Sequence, residues 1–271
     1  MITIRRLVLC VVLSVLFFAV ISQAYAEDET VFQVEMEVDE SDEHAFHVEI
    51  LRLQPPDVHQ VKRVLIYHTH TYEAYEQVEG DRYEPTEQWR TKDETHNVVA
   101  VGAALAGSLR ASGIEVIHDC TAFEPPNLDD AYARSLNMLE TRMKGGEVYD
   151  LYIDLHRDAL ASNSSVRKTV KIGGVDVARF MVLVGQGKTG GYAQQPDWEA
   201  NLVIANRITD HLNQQHQNLA RSVKIKTGRF NQHISNCCIL IECGMNTNTL
   251  DEVLAGVPYL ADAIVSVLSE K

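Results

Sequence analysis

Residues 64–71 read VLIYHTHT, an apolar run that leads into two histidines separated by one residue. An uninterrupted apolar run such as Val64 to Tyr67 is typical of a short strand that is covered on both faces of a sheet. Two later stretches, LYIDL at 151–155 and ILI at 239–241, have a similar character and also lead into polar residues. We therefore expect three buried strands with polar side chains at their ends.

Segments with helical spacing lie between and after these strands. Residues 97–112 carry Val98, Val101 and Leu105 on one helical face. Residues 249–268 begin with TLDE, the pattern of a capping box, and continue with helical spacing. Strands that alternate with helices predict an α/β fold, with a mostly parallel mixed sheet and helices on both faces.

The N-terminal part of the chain differs from the rest in composition. Residues 1–26 contain a basic start, a long apolar run and the triplet AYA, which is the layout of a secretory signal. The apolar run is also close to the length of a membrane span. We predict a signal peptide or membrane anchor over 1–26, an acidic peripheral segment with a hairpin over 27–60, and one domain over 61–271. The domain is then extracytoplasmic, either secreted or anchored by the N-terminal segment.

The charge of the chain excludes one class of partner. The formal net charge is −14, and without residues 1–26 it becomes −16, from 22 basic and 38 acidic residues. Nucleic-acid phosphates need a basic surface, so no nucleic-acid partner is expected. The same surface disfavours simple adhesion to an anionic polymer. Affinity for such a polymer must come from specific contacts in a groove.

Polar residues with metal-binding side chains follow the three buried strands. His70 follows the first strand, His156 and Arg157 end the second, and Glu242 ends the third. Ligands of parallel sheets bind beyond the carboxyl ends of the strands. Imidazole is a preferred zinc ligand, and a catalytic zinc needs about three protein ligands and one open position. The pattern indicates a metal-dependent hydrolase, although Glu242 could equally cap a helix or pair with Arg157.

Five blocks of the sequence resemble one protein family in their order along the chain. The family is stage II sporulation protein P, a branch of the zinc-dependent N-acetylmuramoyl-L-alanine amidases. The blocks are VLIYHTHTYEAY (64–75), TKDETHNVVAVGAALAGSL (91–109), GIEVIHDCTAFEPPNLDDAYARSL (113–136), YDLYIDLHRDA (149–159) and ILIECGMNTNTLDEV (239–253). The resemblance implies that residues 61–271 form one catalytic domain with the fold of the zinc amidases.

The resemblance also implies roles for individual residues. The zinc ligands of the wider family correspond to His70, Asp93 and His156, and the catalytic glutamate corresponds to Glu242. Asp93 departs from the family pattern, which has a glutamate there, and Glu94 or His96 could replace it as the second ligand. Substrate-binding candidates are His68, Arg157 and Asn246, of which Asn246 could instead hold the turn after its strand.

The implied function is zinc-dependent hydrolysis of the amide bond between N-acetylmuramic acid and L-alanine in peptidoglycan, in sporulation-related wall remodelling. Two alternatives remain at this point. One is lytic transglycosylase action on the glycan strands, for which Glu73 is the candidate acid. The other is a non-catalytic wall-binding module. Peptidoglycan is the expected partner in each case, and a wall-hydrolase or membrane partner is left open.

Overall fold

The computed structural model describes residues 32–38, 46–52, 61–161 and 165–269. The predicted signal peptide or anchor (1–26) lies outside the described residues, and the predicted domain boundaries remain predictions. Strands β1 (Phe32–Val38) and β2 (Phe46–Arg52) pair antiparallel. The chain divides into two units, residues 1–60 and 61–271. The remaining elements all belong to the second unit.

The described part of the second unit contains strands and helices in alternation. The strands are β3 (Arg63–Tyr67), β4 (Glu115–His118), β5 (Leu151–Asp158), β6 (Thr169–Ile172), β7 (Val175–Ala178), β8 (Phe180–Gly185), β9 (Lys224–Lys226) and β10 (Cys238–Met245). The helices are α1 (Val98–Ala111), α2 (Ala131–Lys144), α3 (Trp198–Gln215), α4 (Leu250–Leu254) and α5 (Val257–Ser269), with a 3-10 turn at Gln232–Ile234.

Six of these strands form one sheet in the order β4-β3-β5-β10-β8-β9. The first four strands are parallel, β8 runs antiparallel to β10, and β9 runs parallel to β8. The predicted α/β fold with a mostly parallel mixed sheet is therefore confirmed. The carboxyl ends of β3, β5 and β10 lie next to one another, because these strands are neighbours in the sheet.

Helices cover both faces of the sheet, as predicted. Ile66, Ile153 and Ile241 lie in a core shared with α1, α3 and α5 on one face. Tyr67 and Tyr152 lie in a second core with α2 on the other face. Each fully buried large apolar side chain contributes roughly 1.5–3 kcal/mol to stability, so both layers hold the strands in place. The double coverage explains why the strands read as continuous apolar runs.

The structure differs from the sequence prediction in the middle of the chain. The largely apolar run 177–184 predicts one further strand, but Arg179 separates β7 from β8 and donates its backbone N–H to the carbonyl of Lys168. β7 pairs with β6 in a separate two-stranded sheet. β9 was not predicted, because its three residues are exposed and carry two lysines. Apolar periodicity cannot detect such an edge strand.

The C-terminal helices begin as predicted. Thr249 and Glu252 form a complete capping box at the start of α4, and the chain breaks before α5. By length and composition alone, Leu250–Ser269 is the one described segment that could cross a membrane, with a mean hydropathy of 1.5. Half of that segment is buried in the protein, as is typical of core helices.

Candidate functional site

Two histidines and a glutamate meet at the carboxyl ends of the three central strands. Glu242 on β10 is the direct register partner of His156 on β5. His70 lies shortly after β3, and its ring stands edge-on to that of His156, with 5.3 Å between centroids. The structure therefore brings together the two predicted histidine ligands and the predicted catalytic glutamate.

Two carboxylates flank the His156 ring. Glu73 Oε2 lies 3.2 Å from Nδ1, and Asp154 Oδ1 lies 2.8 Å from Nε2. The Asp154 contact is close, but its geometry is not that of a hydrogen bond, and Nε2 has no hydrogen-bond partner. Burial disfavours the charged form of His156, yet Asp154 and Glu73 outweigh this and raise the pKa of His156 well above its usual value.

Glu73 and Glu242 have opposite protonation preferences. Burial alone would raise the pKa of Glu73, but the positive charges of His156 and Arg157 outweigh it and lower that pKa to about 2. Burial raises the pKa of Glu242 to about 7, against the opposing effect of His156. Near neutral pH Glu73 is thus a carboxylate, whereas Glu242 exchanges a proton readily.

His70 presents a neutral imidazole to the same space. Burial lowers the pKa of His70 to about 4, and the charge of His156 acts in the same direction. Its Nδ1 atom is buried without a hydrogen-bond partner and lies 3.9 Å from Glu124 Oε1. The ring of Tyr132 packs edge-on against it, with 5.4 Å between centroids. A neutral imidazole with a free ring nitrogen is the form that binds metals.

The donor atoms at this site fit a zinc ion chemically. Buried atoms without a hydrogen-bond partner include His70 Nδ1, His156 Nε2 and Glu242 Oε2. His156 Nε2 faces Asp154, but buried polar atoms are usually satisfied, so the free atoms of His70 and Glu242 point to a missing partner. In the described part of the chain, no three His, Cys, Asp or Glu side chains already converge as a preformed metal centre.

The predicted second ligand lies elsewhere. Asp93 occupies a turn in which its oxygens accept hydrogen bonds from the Thr95 backbone and hydroxyl, and it contacts His96 Nδ1 at 2.8 Å. Its side chain is 41% exposed. Among residues 61–161, no hydrogen bond or ion pair joins Asp93, Glu94 or His96 to His70 or His156. The carboxylate that contacts His156 from this segment is Glu73.

His68 is placed behind the site and not in a groove. It is fully buried, and its Nδ1 donates a hydrogen bond of 2.9 Å to the carbonyl of Leu155. Its Nε2 lies 2.8 Å from Nε2 of His118. A side-chain carbon at Gly102 would lie 2.5–2.6 Å from both of these nitrogens, so only glycine leaves room for the pair.

The two other predicted substrate contacts are engaged within the protein. Arg157 is buried and donates hydrogen bonds to the carbonyls of Ala74 (3.0 Å) and Trp89 (3.1 Å). Asn246 exchanges two hydrogen bonds with the backbone of Leu160, at 3.0 and 3.1 Å. Arg157 therefore anchors the segment that follows His70, and Asn246 holds the turn after β10.

Sequence reasoning missed two residues that surround His156. Asp154 was not among the predicted site residues, and Glu73 was predicted only as a glycan-cleaving acid. The signal for Asp154 was present, since residues two apart on a strand share a face. The position of Glu73 depends on how the segment 71–97 folds back, with Glu73 bridged to Arg90, and local pattern does not predict such pairing.

Comparison with known proteins gives one family. The family model for stage II sporulation protein P matches residues 20–265. No curated protein matches the chain.

Several solved structures are similar at low identity. The CwlD amidase from Clostridioides difficile, solved in complex with the GerS lipoprotein, is 15% identical, with 78% of this chain and 100% of that chain covered and a TM-score of 0.47. The catalytic domain of the CD27L endolysin targeting Clostridia difficile is 18% identical (78% and 98% covered, TM-score 0.46). The amidase AmiC2 of Nostoc punctiforme is 16% identical (77% and 96% covered, TM-score 0.44).

Proposed function

The chain belongs to the stage II sporulation protein P family, and on that premise we propose that it is a zinc-dependent peptidoglycan hydrolase of sporulation. The bond cleaved is the amide between N-acetylmuramic acid and L-alanine. The observation that supports this most is the meeting of His70, His156 and Glu242 at the ends of β3, β5 and β10, where His70 and Glu242 each have a buried atom without a hydrogen-bond partner.

His70, His156 and one carboxylate would hold the zinc, and binding would displace the proton that Asp154 and Glu73 favour on His156. Glu73 is the better supported carboxylate, because it already contacts His156 and is ionised, whereas Asp93 bonds within its own turn. When bound, zinc supplies Lewis acidity to the amide carbonyl and to a water molecule at the open position. Asp154 contacts the opposite edge of the His156 ring and orients it, as outer partners of zinc-binding histidines do.

Glu242 is the proton carrier of the proposed reaction. Its carboxyl takes a proton from the attacking water and delivers it to the nitrogen of the leaving L-alanine. Burial and the absence of a partner for Oε2 keep its pKa near 7, which suits a group that must both accept and donate a proton at neutral pH.

Glycan cleavage is a less well supported reading of the same residues. A lytic transglycosylase needs a protonated carboxyl near the glycosidic oxygen, as glycosidases do. The charges of His156 and Arg157 overcome burial and lower the pKa of Glu73 to about 2, which disfavours the protonated form that such an acid needs. A purely wall-binding role gives no reason for the buried atoms without hydrogen-bond partners on His70 and Glu242.

The proposed location is outside the cytoplasm, with peptidoglycan as the partner. The N-terminal layout carries this part of the proposal. Sequencing the N-terminus of the exported protein tests it, because a start at Glu27 indicates cleavage and retention of residues 1–26 indicates an anchor.

Digestion of purified peptidoglycan tests the reaction. The protein is compared before and after chelation and after zinc is restored, with Glu242→Gln as the matched variant, and the products are identified by mass spectrometry. Free stem peptides that begin with L-alanine, lost on chelation and recovered with zinc, support the amidase. Anhydro-muramyl products that survive chelation would replace it with the transglycosylase.

A further inference from the structure

One segment of this acidic chain contains no acid. Residues 211–241 include no Asp or Glu, although the protein has 38 of them, and they carry Arg221, Lys224, Lys226 and Arg229. Arg221 is paired with Asp158 at 2.7 Å. Within the described residues, the other three cations form no ion pair with a carboxylate. We call Lys224, Lys226 and Arg229 the basic strip.

The basic strip lies on the face of the sheet that carries the candidate site. On edge strand β9, Lys224 is the register partner of Leu183 and Lys226 that of Gly185. Met181, two residues before Leu183 on β8, is the partner of Glu242. Because residues two apart share a face and register partners point the same way, the two lysines share the face of Glu242 and His156. Both lysines are exposed.

Aromatic rings connect the basic strip with the site. The Lys226 ammonium lies 6.0 Å from the centre of the Phe230 ring. Phe230 packs on Tyr132 (5.8 Å between centroids), and Tyr132 packs on His70 (5.4 Å). A chain of ring contacts therefore leads from His70 through Tyr132 and Phe230 to Lys226.

The turn that ends the strip is strained and firmly held. Phe230 and Asn231 both have left-handed backbone angles, with φ of 49° and 54°, which non-glycine residues rarely adopt. The Asn231 amide donates hydrogen bonds to Tyr132 O (2.8 Å) and Ser135 Oγ (3.1 Å). Backbone strain that the surroundings maintain is concentrated at binding and active sites.

Arg229 has a free donor beside its stacked ring. Its guanidinium lies 3.8 Å over the Tyr192 ring, and its Nε atom is buried without a hydrogen-bond partner. A guanidinium fixed by stacking retains its capacity for a carboxylate. Arg157, from which this role was expected, is buried and bound to backbone carbonyls.

We propose that the basic strip binds the carboxylates of the peptidoglycan stem peptide, which the scissile amide joins to the glycan. This proposal rests on the proposed function. Strands are spaced by about 4.8 Å, so β9 lies roughly 10 Å across the sheet from β10. Lys224 is level with Leu240, two residues or about 7 Å before Glu242 along the strand, so its backbone lies roughly 12 Å from that of Glu242. An extended peptide covers about 3.4 Å per residue, so the lysine side chains meet carboxylates about three residues beyond the cleaved bond.

Binding of a reaction product tests the strip without relying on catalysis. The probe is the tripeptide L-alanyl-γ-D-glutamyl-diaminopimelate, compared with its fully amidated form, titrated by calorimetry against Glu242→Gln protein. We expect the amidated peptide to bind Glu242→Gln protein roughly tenfold more weakly than the unmodified peptide does. Adding Lys226→Gln and Arg229→Gln to that protein, which gives the double variant, should weaken binding of the unmodified peptide by a similar factor, since each exposed ion pair contributes modestly. Added salt should weaken binding of the unmodified peptide to the Glu242→Gln protein, which we call the parent, but should hardly affect its binding to the double variant.

Lys144→Gln is the matched control. Lys144 is an exposed lysine at the end of α2 that, among the described residues, pairs only with Glu140 of the same helix, and its loss should leave binding unchanged. Arg229→Gln could disturb the fold, and Arg229→Lys is the second variant for that case. Because it keeps the positive charge, Arg229→Lys should retain most of the affinity for the peptide. Equal affinity of parent and double variant, or no measurable binding to the parent, would overturn the basic strip. Charge-dependent binding without any amide hydrolysis by the wild type would instead overturn the proposed function.

Discussion

The Nε2 atoms of His68 and His118 face each other at 2.8 Å beneath helix α1. The contact fixes both tautomers. His68 must donate from Nδ1, because its partner there is the Leu155 carbonyl, so its Nε2 accepts the proton of His118. Burial lowers the pKa of His68 to about 3, which keeps its ring neutral. His68 therefore joins the end of β3 both to His118 and to Leu155, the residue that precedes His156.

Two glycines of α1 provide a matched test of this packing. Gly102→Ala places a carbon 2.5–2.6 Å from both imidazoles, whereas Gly107→Ala meets nothing within 4 Å. Alanine is favoured over glycine inside helices by about 0.5–1 kcal/mol. We expect Gly107→Ala to raise the free energy of unfolding by about that amount and Gly102→Ala to lower it by about 1–3 kcal/mol. Urea unfolding measures both. Stabilisation by Gly102→Ala would show that the imidazole pair is loosely packed.

Zinc binding distinguishes the two carboxylates that could complete the site. Glu73→Gln removes the carboxylate in contact with His156, and we expect zinc affinity to fall by more than the roughly 10–100-fold that loss of an outer partner costs. Asp93→Asn removes an exposed turn carboxylate and should leave affinity within a few-fold of wild type. Competition with a chromophoric chelator gives both values. The reverse ranking would restore Asp93 as the second ligand.

The Asp119–Arg142 pair makes stability depend on pH. Burial opposes ionisation of Asp119, but hydrogen bonds from Thr121 and Arg142, the latter at 2.8 Å, outweigh it and hold the pKa of Asp119 below its usual value. A carboxyl whose pKa is lower in the folded state stabilises above its unfolded pKa of about 4, and the effect is lost as pH falls through the folded pKa.

Asp119→Asn should therefore cost about 1 kcal/mol at pH 7, and the difference from wild type should shrink as pH falls below about 4. Thermal unfolding in buffers from pH 7 to pH 3 measures the difference. The exposed Asp129 provides the control, since Asp129→Asn should have little effect at any pH. A difference that grows on acidification would mean that burial dominates at Asp119.

The sequence predicted the sheet and the meeting of the strand ends because both follow from local patterns. Val64 to Tyr67 are fully buried on both faces, so their apolar run is visible without any alignment. The parallel order then brings His70, His156 and Glu242 to one edge. These three residues could be predicted from strand position alone.

The remaining parts of the site depend on non-local folding. Glu73 reaches His156 because residues 71–97 fold back through isolated bridges and through the bonds of Arg157 to Ala74 and Trp89. Register between such short segments is weakly specified by sequence. The basic strip was missed for another reason: β9 is an exposed edge strand, although the absence of acids over 211–241 was visible in the sequence.

Release of L-alanine amino termini from a defined muropeptide, with zinc content determined on the same samples, tests the central claim most directly. We predict that zinc-loaded wild type releases these termini, and that Glu242→Gln retains its zinc but is slower by roughly 10²–10⁴-fold, since it has lost only the proton carrier. Hydrolysis by Glu242→Gln at the wild-type rate, or zinc-loaded wild type that releases no L-alanine termini, would contradict the account.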